Sequence, residues 1–188
     1  MEYRIEPEDR KILRELSKKQ LEYANQEKNQ KRMQEWYLHN ELKGERPMVH
    51  LEIGGFGREV IPGLLHCTGG FARSVEERLY RNFLNQEWFD DDRVTPDYYG
   101  MSYDTSFVLF GIEIHVQHVK DMENKVSVGH QFESLVCDLE EDYEKLGKTE
   151  FDVDVESTLA KKQAIEDAIG DILPVRMEGG CLGSVPTQ

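Results

Sequence analysis

Apolar positions recur at helical spacing early in the chain. Ile12, Leu13, Leu16, Tyr23 and Ala24 form a narrow stripe behind Pro7, Glu8 and Asp9, which suit the first turn of a helix. A second helix is predicted over Lys28 to Leu42, with Met33, Trp36 and Tyr37 on its apolar side and Gly44 as its stop. Lys, Glu, Gln and Asn fill the rest of both helices, which places them on a surface. The period then changes. Behind Arg46-Pro47, Val49, Leu51 and Ile53 alternate with Met48, His50 and Glu52, as in a strand. The stretch GGFGRE ends it, and residues 60–70 read as loop. Ser74-Val75-Glu76-Glu77 reads as a capping box opening a helix, with Val75, Leu79 and Phe83 on its buried face beside Tyr80, Leu84 and Trp88.

After Asp90-Asp91-Asp92, residues Arg93 to Gly100 read as a short strand ending in a polar aromatic tip. Phe107 to Phe110 and Gly111 to Val116 are β-rich, with Ile112, Ile114 and Val116 alternating with Glu113 and His115. A helix is predicted over Ser134 to Leu146, followed by the acidic, strand-like FDVDVE. The next helix, Ser157 to Ile169, packs through Leu159, Ala164, Ile165, Ala168 and Ile169. Gly170 stops it, and Ile172 to Met177 is the final strand. A helix followed this closely by an apolar strand is an α/β unit. That strand and the Val94 region are the candidates for buried parallel pairing. Two strands cannot close a barrel, so the sheet is expected to be incomplete: cut short, or completed by another subunit.

Composition narrows the class. The chain has 188 residues, 32% of them charged, and a formal net charge of −14. An excess of acids disfavours nucleic acid and anionic membrane surfaces, which require clustered Lys and Arg. No apolar run reaches the roughly 18 residues of a membrane span, and MEYRIEPEDRK lacks the apolar core of a signal peptide. Cys67, Cys137 and Cys181 are odd in number and form no CxxC pair, so neither a disulfide framework nor a zinc ribbon is indicated, and a cytoplasmic location is expected.

The order of helical extension, RPMV opening a strand, GIEI, and a helix leading into GDILPVRMEGG resembles the N-terminal part of the uroporphyrinogen decarboxylase-like superfamily. Within it, the likeness is closer to the bacterial branch near the corrinoid-linked methyltransferases. The resemblance implies an α/β fold made of an N-terminal helical extension (1–45) and the first strands and helices of a (β/α)8 barrel (46–188), incomplete in this chain. It implies an enzyme, a methyltransferase or a decarboxylase-like lyase, once the missing barrel half is supplied. Corrinoid-dependent methyl transfer is the first expectation and tetrapyrrole decarboxylation the second. The third is a non-catalytic piece, truncated or split, that needs a partner chain.

The family's arginine loop corresponds to Gly54-Gly55-Phe56-Gly57-Arg58-Glu59. There Arg58 matches the second arginine, and Gly54 stands where the first should be. Loss of one arginine removes a bidentate carboxylate contact and argues against true uroporphyrinogen decarboxylation. The family's aspartate at a strand end corresponds by position to Asp97, the expected catalytic residue, with Tyr98 and Tyr99 beside it as ligand contacts. Arg58 is an expected anion contact, and a solvated arginine is the simpler alternative. Arg176 and Glu178 flank Met177 and share the opposite face of the last strand, as ligand contacts or as an ordinary salt bridge. No cofactor or metal is expected within this chain, since His115 and His118 would face opposite sides of a strand. The resemblance implies zinc and a corrinoid protein for the complete protein. A small-molecule or corrinoid-protein substrate is expected, with assembly as a homo-oligomer or with a complementary C-terminal half.

Overall fold

The computed structural model describes residues 3–112, 116–120, 127–132 and 136–179. It mixes helix and strand, and the chain divides into two compact units, Met1–Ser102 with Glu156–Gln188 and Tyr103–Val155. Among the described residues the strands form three separate pairs and close no barrel.

The first unit opens with α1 (Pro7–Asn25) and α2 (Glu27–Asn40). The sequence pattern places α1 on the surface; instead Leu13, Ser17, Gln20 and Ala24 are buried against α4 (Gly70–Trp88). The difference lies in polar positions, because Ser17 and Gln20 are as fully buried as Leu13 and no hydropathy pattern marks them. Leu42, at φ 60°, follows the end of α2, so the reversal comes before the expected Gly44.

No strand forms over residues 48–53. The extended segment is held mostly by side chains: Asp92 accepts the Val49 amide at 2.8 Å, Asp91 accepts that of Leu51 at 2.8 Å, and Asn85 donates to the Leu51 carbonyl at 2.7 Å, while the Asp92 amide donates to the Val49 carbonyl at 2.8 Å. The glycine-rich stretch expected to be loop is the helix α3 (Gly54–Leu64), with Pro62 inside it. Gly57 faces the end of the Arg81 side chain of α4, which a Cβ there would meet at 3.2 Å.

The capping box at Ser74 is also corrected. α4 begins four residues earlier, and the Ser74 hydroxyl donates back to the Phe71 carbonyl at 2.7 Å. No side chain caps its first turn, and the two residues that lead into it are held from α1. The buried Asp9 carboxylate accepts the Thr68 and Gly69 amides, both at 2.9 Å. Burial pushes the Asp9 carboxyl up, but these amides and the Thr68 hydroxyl outweigh it and hold it below its ordinary range.

β1 (Tyr99–Met101) pairs in parallel with β6 (Val175–Met177), and α6 (Val155–Ile169) leads into β6 as the helix-then-strand pattern predicts. Ile165, Ala168, Ile169 and Leu173 join Leu13, Ala72, Val75 and Leu79 in the main core, whereas Leu159, expected to pack, is 53% exposed. Ile53, Ile61, Phe83 and Leu84 form a second cluster.

The second unit is an antiparallel arrangement. β2 (Asp104–Val108) pairs with β5 (Glu150–Asp154), and β3 (Val116–Lys120) with β4 (Ser127–Phe132). The acidic FDVDVE stretch is thus a paired strand. Glu113, Ile114 and His115, from the predicted alternation, lie outside the described residues, as do Ser134, Leu135, Gly180 and Cys181. The helix predicted over Ser134 to Leu146 is short, α5 (Leu139–Asp142), because the Asp138 carboxylate accepts the Glu140 and Glu141 amides and so starts it there.

Candidate functional site

Among the described residues the segment leading into β1 has no neighbouring strand; side-chain amides take that place. Asn29 of α2 donates to the Thr95 carbonyl at 3.0 Å and accepts its amide at 2.8 Å. Gln20 of α1 donates to the carbonyls of Pro96 and Tyr98 at 2.9 and 3.0 Å, while Asn82 of α4 donates to Gln20 at 3.1 Å. Gln86 accepts the Thr95 hydroxyl at 3.0 Å. These amides are buried, so every bond counts toward holding one backbone path.

That path delivers Asp97 and Tyr98 to one side of the β1–β6 pair. Alternation does the rest. Tyr99, Met101 and Val175 pack with the apolar core, while Tyr98, Gly100, Arg176 and Glu178 line a cavity of about 820 Å³ on the other face. The Arg176 guanidinium lies over the Tyr98 ring, 4.4 Å from its centroid, and 3.8 Å from the Asp97 carboxylate. Glu178 lies over Gly100, where a Cβ would come within 2.3 Å of its carboxylate, and pairs with Arg78 at 3.2 Å. Burial, and then the hydrogen bond to Glu178, raise the Tyr98 phenol above its ordinary value.

Four of the six expected site residues therefore meet: Asp97, Tyr98, Arg176 and Glu178. Tyr99 does not. It is 5% exposed on the core side, and burial pushes its phenol up to about 12. Arg58 is exposed on α3 and is not among the cavity-lining residues. Asp97 precedes β1, so it sits at the N-terminal end of a strand rather than the C-terminal end expected. The cause is the amide framework, which occupies the place of a longer strand.

Sequence reasoning missed the remaining wall. Arg78 and Asn82 come from one face of α4, Trp36 and Met33 from α2, and Arg93 from the segment after the acidic triplet. The available signal was the polar set Asn82, Asn85 and Gln86 beside the apolar face of α4, all three buried, with the exposed Arg78 one turn ahead of Asn82. Arg93 is the distinctive member. Burial, and then the positive charges of Arg78 and Arg81 against the opposing pull of Asp91, lower its guanidinium from its ordinary value. Its hydrogen bond is to a neutral partner, the Asn85 side-chain oxygen at 3.3 Å. The cavity thus offers cationic donors with partial compensation, an environment that favours an anionic group.

The acidic triplet supports this wall. Asp92 takes Arg46 in a two-point contact, at 2.7 and 2.8 Å, and its carbonyl accepts the Trp36 indole at 2.6 Å. Arg46 first, and then the Val49 amide, outweigh burial and hold the Asp92 carboxyl at about 2. Asp90, at φ 54°, receives Lys28 and Arg32. The adjacent His66 and Cys67 both donate their backbone amides to the buried Glu76 carboxylate. Among the described residues no three His, Cys, Asp or Glu gather in a metal-binding group, and no helix is long and apolar enough to cross a membrane.

No protein-family profile matches the chain, and no curated protein or solved structure does either.

Proposed function

We propose that this chain is the N-terminal part of a uroporphyrinogen decarboxylase-like enzyme of the branch linked to corrinoid-dependent methyl transfer. Its share of the site is the cavity over β1 and β6, which receives the anionic end of a small substrate. The family reading rests on the sequence resemblance, and the α6–β6 unit paired in parallel with β1 is compatible with the start of a (β/α)8 barrel. The observation that carries the anionic substrate is the half-buried Arg93, close enough to Arg78 to feel its charge, with Arg176 on the same cavity.

In this reading Arg93 and Arg78 hold the anion, Arg176 braced on Tyr98 orients it, and Asp97 is the exposed carboxylate positioned to exchange a proton with the reacting group. The resemblance implies zinc for the complete protein. The described residues do not supply a zinc-binding set, and no step here passes through one. Tetrapyrrole decarboxylation is the second reading, since arginines around one cavity also suit a ligand with several carboxylates.

Trp36 lines the cavity and serves as a fluorescent reporter. The full chain is titrated with a small anionic thiol and with uroporphyrin, in parallel with Trp36→Phe and Arg93→Gln. Saturable quenching by the thiol, lost in Trp36→Phe and weakened about tenfold or more in Arg93→Gln, supports the methyl-transfer reading. A response to uroporphyrin alone transfers the site to decarboxylation, and no response to either sinks both.

Assembly belongs to the same proposal. Among the described residues β1 and β6 pair with each other and leave their outer edges open, which favours a homo-oligomer or a complementary chain. Light scattering of the purified chain is expected to give a dimer or larger, and a cooperative monomer counts against shared completion of the sheet.

A further inference from the structure

The second unit carries chemistry that the cavity does not use. In the β3–β4 ladder His118 stands directly opposite His130, and both side chains are exposed. Directly opposed residues on an antiparallel pair project to the same face with Cβ atoms about 5 Å apart. Two imidazoles at that separation meet the bite that a transition metal needs, with metal–nitrogen distances of about 2.0–2.1 Å. The pairing also explains why sequence spacing conceals it: the two residues are twelve apart, and register alone brings them together.

Charge supports the same ligand class. Residues 103–155 hold thirteen acids against four lysines and no arginine, so this stretch carries −9 of the chain's −14. A field of that sign concentrates cations near the hairpin. Imidazole donors select among them, since they suit zinc, nickel and copper and not magnesium or calcium.

We propose that His118 and His130 form a cross-strand site for a divalent transition metal, binding through the two imidazoles with water completing the coordination. The site is independent of the cavity proposal and would survive its failure. Two protein ligands imply a lower affinity than a three- or four-ligand site, and the Irving–Williams order ranks copper(II) above nickel(II).

The test is calorimetric titration of the tag-free full chain with copper(II) and nickel(II) at pH 7.5, with His118→Ala, His130→Ala and a His39→Ala, His50→Ala control. The expected result is one metal per chain, copper tighter than nickel. Each hairpin variant should lose at least tenfold in affinity, and the control should bind as the unaltered chain does. A second reading comes from the d–d absorption of bound copper(II), whose band moves when an imidazole nitrogen is lost. Circular dichroism of each variant confirms that the hairpin persists. Equal affinity in folded hairpin variants, or no stoichiometric binding at all, overturns the site.

Discussion

Asn29 and Thr95 are joined as neighbouring strand residues would be, with the Asn29 amide donating to the Thr95 carbonyl at 3.0 Å and accepting its N–H at 2.8 Å. Both residues are 2% exposed, so neither backbone group has water in reserve. Asn29→Ala is expected to destabilise the protein by about 2–4 kcal/mol, the cost of two unmade buried bonds. Asn29→Asp should fall in the same range, because it keeps the acceptor and loses the donor. Urea unfolding followed by circular dichroism checks both, and a loss below about 0.5 kcal/mol would show that the segment finds other partners.

Acid should reveal the Asp92–Arg46 contact. The folded carboxyl titrates at about 2, well below its ordinary value, so its contribution is fully present above about pH 4 and is lost as pH falls through 2. Arg46 is 45% exposed, which reduces the contribution to on the order of 1–2 kcal/mol. Asp92→Asn should lower stability at pH 7 and flatten the decline between pH 4 and 2. Parallel denaturation series at pH 7, 4 and 3 read both effects.

Gly100 offers a variant that separates site from fold. A methyl group there meets the end of the Glu178 side chain, which can swing away, and no backbone atom lies as close. Gly100→Ala is therefore expected to cost less than about 1 kcal/mol. It should still move Glu178 off Arg78 and change ligand-induced quenching of Trp36. An unfolded Gly100→Ala protein would place Glu178 among the structural residues instead.

Leu42 is 95% exposed and holds a left-handed conformation after α2. Leu42→Gly relieves that strain and loses no buried contact, so stability should rise by about 0.5–1 kcal/mol. Thermal unfolding decides the sign.

The legible parts of the fold were those written in local periodicity. α1, α2 and α6 form where apolar spacing predicts helices, although α2 buries Asn29 and Arg32 rather than Tyr37 and α6 leaves Leu159 exposed, and the break at Gly170 before β6 stands where the sequence puts it. The parity of Arg176 and Glu178 was legible for the same reason, since a strand fixes which side chains share a face. The anchoring of the chain ahead of α4 was not, because Asp9 reaches the Gly69 amide from 60 positions away. The strand expected at Val49 fails for a related reason. Its partners are the carboxylates of Asp91 and Asp92, the side-chain amide of Asn85 and the main-chain amide of Asp92, and alternation cannot tell a strand from an extended segment bound mostly by side chains. Arg93 joined no motif, so its role became visible only when Arg78 and Arg81 were found beside it.

The main core is assembled from both ends of the chain. Arg14 on α1 bonds Asp171 across a separation of 157 positions, and Tyr3 bonds Ser157 across 154. On the ribosome, α1 and α4 therefore emerge with the surface around Val75 and Leu79 still lacking Ile165, Ile169 and Leu173. Loop closure over such a span is slow, so refolding should lag behind that of helical proteins of equal length. Until α6 arrives, the nascent chain presents an apolar face that invites chaperone capture.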